Sequence, residues 1–234
     1  MHDSKRPAAP LPRPSTRVWR EASDAERPTL QAFIADGYAR EHGARLQHFQ
    51  PRLFGLWQDG VLQAALGVSR AGDHPLFLEH YLDMPVERRL AEVLAAPVDR
   101  SRLVEVGNLA ARRRGLLRPL IIRLIETLVA EGMQWLVFTA TRQVRNAFRR
   151  LGLEAWPLAE AHPGRLGDAG QDWGRYYTHA PLVMGGDMTR AWRHLQAQRA
   201  GATAPLVTLP ARQREGAPGP LSDGDTALPE CAHV

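Results

Sequence analysis

Two groupings of residues have the types that chemistry needs. The first is the run VEVGNLAARRRG, Val104 to Gly115. A mostly apolar stretch carrying Glu105 and Asn108 ends in three arginines and a glycine, directly before the helical pattern LLRPLIIRLIETLVAEG. Backbone N–H groups at a helix start lack partners, and the helix dipole favours negative charge there. Arg112, Arg113 and Arg114 add positive charge, and Gly115 allows a close backbone approach. This corner is therefore either a phosphate-class anion site or a basic loop in solvent. Glu105 is an acid in an apolar strand, which is costly unless the carboxylate is exposed or paired. It is either the partner of an arginine or a group that acts on a substrate. The second grouping, LEHYLD, sets Glu79, His80, Tyr81 and Asp83 together after an apolar run. Such a polar cluster can line a substrate pocket, and His80, set among carboxylates, is a candidate base. Thr139 and Thr141 close the apolar run WLVFTAT; they either face a cleft or serve strand propensity and helix capping.

The elements that must position these residues follow from periodicity and turn chemistry. TRVWREA reads as a short strand, and SDAERPTLQAFIADGYAREHG as a helix or a broken pair with a Ser/Asp start and a Gly stop. Asp59 and Gly60 separate two apolar runs, a hairpin signal. PVERRLAEVLAA is a short helix and RLVEVGNLAA a strand. The long helix over 116–131 ends at Gly132, and QWLVFTAT is a strand apolar enough to be covered on both faces. QVRNAFRRLGL is a helix, and EAWPLAEA and GRYYTHAPLVMGG are late strands. On a strand, Tyr176 and Tyr177 would point to opposite faces. A hairpin followed by strand–helix–strand–helix–strand predicts an α/β sandwich around a mixed sheet.

Composition narrows the classes further. The chain has 234 residues, 44% hydrophobic, with a formal charge of +5 carried almost wholly by arginine. That length supports one ordered domain, expected over 16–197. The Pro-rich residues 1–15 and the Pro/Gly/Ala-rich residues 198–234 are expected to be disordered. The single cysteine, Cys231, argues against a disulfide framework or a thiolate metal cluster. Histidines lack metal-site spacing, so no metal is expected. No G-x-S-x-G elbow or phosphate-binding G-x-x-x-x-G-K-[ST] loop occurs. Aromatics are not interleaved with the arginines, so no nucleic-acid partner is expected. No signal peptide and no run of about 18 apolar residues is present, so a cytoplasmic location without a transmembrane segment is expected.

Strand, R-x-x-G loop, long helix, apolar strand and NAFRRLGL, in that order, resemble the acyl-CoA N-acyltransferase (GNAT) superfamily. The blocks PLFLEHYLDMPVE, VEVGNLA, WLVFTATRQVRNAFRRLGL and WGRYYTHAPLVMGG together resemble the bacterial thermostable hemolysin family, over about residues 20–188. The resemblance implies a GNAT-like sandwich, a mixed central sheet with helices on both faces, related to acyl-homoserine-lactone synthases. It implies an acyl donor, either acyl-CoA or an acyl carrier protein thioester on phosphopantetheine, and a small-molecule amine acceptor. It places the donor along Gly107, Asn108, Leu109 and Ala110, with Arg112, Arg113, Arg114, Gly115 and Leu116 gripping phosphate and Asn146 following. Leu117 stands where the family's loop has a small residue. The resemblance also implies Glu105 as general base or amine-orienting group, with His80 second, and a tyrosine, Tyr177 ahead of Tyr176, as proton donor to the thiolate. Glu79, Tyr81, Thr139 and Thr141 would line the acceptor side. The family name implies red-cell lysis, which makes a membrane-active hemolysin the alternative; a catalytically silent acyl-binding member is a second. The helix over 116–131 has its apolar residues on one side, the pattern of a core helix rather than a lytic one.

Overall fold

The computed structural model describes residues 16–203. Seven strands form one sheet in the order β1-β2-β3-β4-β5-β7-β6. They are β1 (Arg17–Glu21), β2 (Arg52–Gln58), β3 (Val61–Arg70), β4 (Leu103–Ala111), β5 (Trp135–Ala140), β6 (Trp156–Glu160) and β7 (Leu182–Asp187). The helices are α1 (Arg27–His42), α2 (Val86–Leu94), α3 (Leu117–Ala130), α4 (Arg142–Arg150) and α5 (Met188–Thr203). β4 and β5 run parallel and the other neighbours antiparallel, so the sheet is mixed. This is the α/β sandwich expected. The β2–β3 hairpin turns on Asp59 and Gly60, both at positive φ (51° and 78°), as a two-residue turn matched to strand twist requires.

Alternation along the strands sorts the core into two layers. Val104, Leu136, Phe138 and Met184 pack against Leu120, Leu124 and Leu128 of α3, Phe148 of α4 and Met188 and Leu195 of α5. Their neighbours Leu103, Trp135, Val137 and Val183 face the other way, against Val86 and Leu90 of α2. On that same side, Leu30 and Ile34 of α1 cover Leu53, Ala65 and Ala110. The apolar stripe of α3 is thus core, buried at Leu117, Leu120, Ile121, Leu124, Ile125 and Leu128.

Two local irregularities shape the centre of the sheet. β4 pairs with β5 only over Leu103–Val106 against Trp135–Phe138; beyond that point both strands continue without pairing to each other. β4 also carries one extra residue against β3 between Gly107 and Ala110, with Asn108 at φ 51°. A bulge of this kind bends the strand and re-aims the side chains beyond it. The Asn108 side chain holds the bulge to the α1–β2 connection, its Oδ1 accepting from the Gln50 amide at 2.8 Å. Its Nδ2 donates to the His48 carbonyl. Across from it, a Cβ on Gly67 would stand 2.6 Å from Gln50 Cβ and 3.0 Å from Asn108 Oδ1, so only glycine fits there.

Three sequence expectations change. Tyr176 and Tyr177 lie on a 3-10 turn, Tyr176–His179, and not on a strand; the last strand begins only at Leu182. Face alternation therefore does not apply to the two tyrosines. α5 was not foreseen; it packs on the core through buried Met188 and Leu195 and half-buried Ala191 and Trp192. The expected end of the ordered domain at 197 falls inside α5, which continues through 198–203 of the expected C-terminal tail; the expected tail over 1–15 and the remainder of the one over 198–234 lie outside the described residues.

Candidate active site

The gap between β4 and β5 opens onto a cavity on each face of the sheet. The larger, about 470 Å³, lies beneath α3 and α4 and reaches through the gap to Gly37, Tyr38, Arg40, Glu41 and His42 of α1 on the other face. Its walls are apolar, from Leu66, Val106, Leu117, Ile121, Leu124, Leu136, Phe138, Val144 and Phe148, and Arg112 and Arg113 stand at its mouth. The smaller, about 40 Å³, lies on the α1/α2 side, between β4 and the Phe77–Tyr81 and Trp173–Tyr176 turns. Tyr38, Val106, Gly107, Thr139 and Tyr176 line both. The two cavities thus meet at the place where the strands separate.

Glu105 lines the smaller cavity. The residue is 3% exposed, and its Oε2 has no hydrogen-bond partner in the protein. Burial raises its pKa to about 7, although the nearby Leu78 and Phe77 amides and Gln50 act to lower it and Glu79 adds to the rise. No ion pair reaches it among the described residues. The structural alternative, an arginine-paired acid, is therefore not what the fold builds. A carboxyl that titrates near neutrality with a bare oxygen can accept a proton from a bound group.

The other members of the polar cluster part company. Glu79 is consumed by structure: its two oxygens accept from Arg100 at 2.7 and 2.9 Å, from the Leu76 amide and from the Val86 amide. Burial acts to raise its pKa, but Arg100 and those amides win and hold it at about 2. It does not line the acceptor cavity, contrary to the sequence expectation. His80 is exposed, faces the Phe77 carbonyl with Nδ1 at 2.7 Å and lines neither cavity. Asp83 pairs with Arg165. Tyr81 does line the smaller cavity, and its hydroxyl is 2.7 Å from that of Tyr177. Burial raises the pKa of both phenols.

Of the paired tyrosines, Tyr177 lines neither cavity, while Tyr176 lines both and donates weakly to the Thr139 carbonyl at 3.4 Å. Burial raises Tyr176 well above the ordinary phenol range and does the same for Tyr38, with the Leu109 amide acting against it at Tyr38. Thr139 lines both cavities and Thr141 the larger one. Thr141 occupies the N-cap of α4 but makes no side-chain cap bond, so its hydroxyl is not spent on capping.

On the donor side, Gly107, Leu109 and Ala110 line the larger cavity, and Gly107 and Asn108 the smaller. The Asn108 side chain is used in holding the bulge, leaving only its backbone for a ligand. Arg112 donates from Nε to the Leu62 carbonyl at 2.8 Å and lies over the Phe33 ring, which fixes its guanidinium at the cavity mouth. Arg113 is exposed there. Arg114–Leu116 form a 3-10 turn leading into α3, whose N-terminus has no side-chain cap. A Cβ on Gly115 would meet nothing within 4 Å, so nothing in the packing demands glycine. Asn146 lies off the cavity and accepts from Arg149 at 3.1 Å.

Sequence reasoning missed Tyr38, Gln50 and Trp173, which come from α1, the α1–β2 connection and a late 3-10 segment. No spacing links them. His42, buried at the larger cavity with an unpartnered Nδ1 and a pKa lowered by burial, is another. Among the described residues no cluster of His, Cys, Asp and Glu could hold a metal ion, and no helix is long and apolar enough to cross a membrane.

The profile of a family described as thermostable hemolysin matches residues 20–192. No curated protein matches the sequence. Among solved structures, the chain is similar to FeeM, an N-acyl amino acid synthase from uncultured soil microbes, with a TM-score of 0.56 and 15% identity over 79% of this chain and 97% of that one. It is also similar to BjaI, a CoA-dependent acyl-homoserine lactone synthase described with SAM and isopentyl-CoA (TM-score 0.56, 13% identity, 81% and 91% covered). The AHL synthase LasI has a TM-score of 0.50 at 13% identity, with 75% and 91% covered. At such identities these likenesses establish a shared GNAT-like fold.

Proposed function

Since the chain belongs to the thermostable hemolysin family, we propose that this member acts at the β4–β5 gap, transferring an acyl group from a thioester to a small amine. The carrying observation is the junction of two unlike cavities at that gap, with the bare Glu105 carboxyl on one side and the arginine-lipped apolar space on the other. The acyl chain lies in the larger cavity. Phosphate of coenzyme A or of a carrier-protein phosphopantetheine sits against Arg112, Arg113 and the uncapped start of α3, where donors and dipole favour an anion. The open space before Gly115 suits a close approach. The thioester carbonyl then reaches the unpaired stretch of β4, whose backbone from Gly107 is free of β5.

The amine enters from the smaller cavity. Glu105 takes its proton as the nitrogen bonds to the carbonyl carbon, the C–S bond breaks, and the thiolate leaves with a proton. A base titrating near 7 is matched to this task at neutral pH. Tyr176 and Tyr38, kept protonated by burial, are the hydroxyls within the junction that can supply the thiolate's proton.

The purified protein should release thiol from a medium- or long-chain acyl-CoA or acyl carrier protein in the presence of amines, with the amide identified by mass spectrometry. No binding or consumption of either donor would overturn the reading. The family's description favours a second reading, direct lysis. Lysis by the protein without any thioester would establish it, whereas lysis only after incubation with thioester and amine would assign it to an amphiphilic product.

A further inference from the structure

The smaller cavity has a composition that goes beyond what amine acylation requires. Five aromatic rings, of Tyr38, Phe77, Tyr81, Trp173 and Tyr176, surround Glu105. They are locked to one another: Phe77 to Trp173 at 5.7 Å between centroids, Trp173 to Tyr176 at 5.2 Å, and Tyr38 to Tyr176 stacked at 6.3 Å. Among the described residues no arginine or lysine lines this cavity, Glu105 is its only carboxylate, and His48, its ring stacked on Phe77 at 5.8 Å, is its only imidazole. Arg100, which reaches the adjoining Phe77–Tyr81 turn, is engaged there by Glu79 and also by Glu87.

We propose that the acceptor is a small amine bearing no carboxylate, held as a cation by this aromatic ring set and by Glu105, and that α-amino acids are excluded. The inference rests on the acyltransferase reading above and specifies its acceptor. Ring faces attract a cation through their quadrupole, the more so when water is excluded. The ammonium group meets Glu105 and releases one proton through it to solvent; the neutral amine then attacks, Glu105 takes the nitrogen's second proton as the C–N bond forms, and the departing thiolate takes a proton from Tyr176 or Tyr38. The carboxylate of an amino acid would lie in the same narrow space beside Glu105 with no arginine or lysine to meet it. An unpaired charge buried in this way is strongly disfavoured.

The test uses the full chain and acceptor pairs that differ only by the carboxylate: ethanolamine against serine, and 2-phenylethylamine against phenylalanine. Acceptor binding is read by tryptophan fluorescence, donor binding by titration with an acyl-CoA and an acyl carrier protein, and turnover as kcat/KM. Each amine should surpass its amino acid by roughly 100-fold or more, in Kd as well as in kcat/KM. Trp173→Leu, at a half-buried position, should raise the KM for the amine by roughly 3- to 30-fold, with the donor Kd serving as the check that the rest of the fold is intact. Amide formation with amino acids as good as with amines overturns the acceptor inference and leaves acyl transfer standing. Equal binding of the two classes overturns it as well, whatever the turnover. Failure to bind or consume any thioester overturns the acyltransferase reading and the acceptor inference together.

Discussion

The cavities on the two faces of the sheet share five lining residues, yet they are built from opposite materials. The larger is walled mainly by leucine, isoleucine, valine and phenylalanine from β3, β4, β5, α3 and α4, with Arg112 and Arg113 at one end and the polar side chains of Glu41, His42, Thr139 and Thr141 beside the gap. The smaller is walled by aromatic rings and holds one carboxyl at its base. The first suits a long apolar chain with an anionic end, because burial of methylene groups supplies affinity and the arginines meet charge where solvent still reaches. The second suits a small cation. The contrast also separates two fates for acids: Glu79 is saturated with donors and held at about 2, whereas Glu105 has a bare oxygen and titrates near 7. A carboxylate whose lone pairs are all taken holds structure; one left bare is available to a substrate.

The comparison of these two acids yields the largest expected effects. Glu105→Gln keeps the shape and removes the base, and turnover should fall by about 100- to 10,000-fold. Stability should move the other way. The folded pKa of about 7 lies above the ordinary carboxylate value of 4.5, so the protonated acid is the form the fold prefers. Its contribution is complete below pH 4.5 and is lost as the pH rises through 7, by about 3 kcal/mol in all. Denaturant unfolding at pH 8 should therefore show Glu105→Gln no less stable than the parent, and its stability should vary less between pH 4.5 and 7. A lowered stability with near-normal turnover would return Glu105 to a structural role.

Glu79→Gln should give the mirror result, with turnover preserved in the folded fraction and a loss of roughly 1–3 kcal/mol from the weakened Arg100 contacts, read by thermal melting. Because its folded pKa is depressed to about 2, its stabilising contribution is present above pH 4.5 and disappears as pH falls toward 2. If Glu79→Gln abolishes turnover without a stability loss, the division of roles drawn here is wrong.

Smaller effects test the larger cavity. Arg112→Ala with Arg113→Ala should raise the donor Kd by about 10- to 100-fold, less than two fully buried charge-assisted contacts would give because Arg113 is exposed. Filling the apolar space with Val144→Trp should shift the preferred acyl chain toward shorter lengths and leave the shortest donors nearly unaffected, as measured by kcat/KM across a chain-length series. Smallest of all, Tyr177→Phe should change turnover by less than about 3-fold, since Tyr177 lines neither cavity; a large loss of kcat would restore it as the proton donor in place of Tyr176.

Much was legible in the chain itself. Period-3.6 spacing of Leu120, Leu124 and Leu128 and the doubly apolar run of β5 pointed to a helix lying on a covered sheet, because burying one apolar stripe against a sheet stabilises both patterns. A strand–helix–strand unit determined that β4 and β5 are parallel. The arginine run before α3 marked an anion-friendly corner, and an acid in an apolar strand marked Glu105. Tertiary structure alone decided the rest. That Glu105 is unpaired while Glu79 is saturated depends on where Arg100 lands, 21 residues from Glu79 in sequence. That Tyr176 rather than Tyr177 reaches the junction depends on a 3-10 turn that ends strand alternation. The aromatic wall of the smaller cavity draws on four separate segments, from Tyr38 to Tyr176. Local sequence encodes periodicity and turn chemistry through neighbours along the chain; which distant side chains surround a carboxyl is set by packing, where no spacing rule operates.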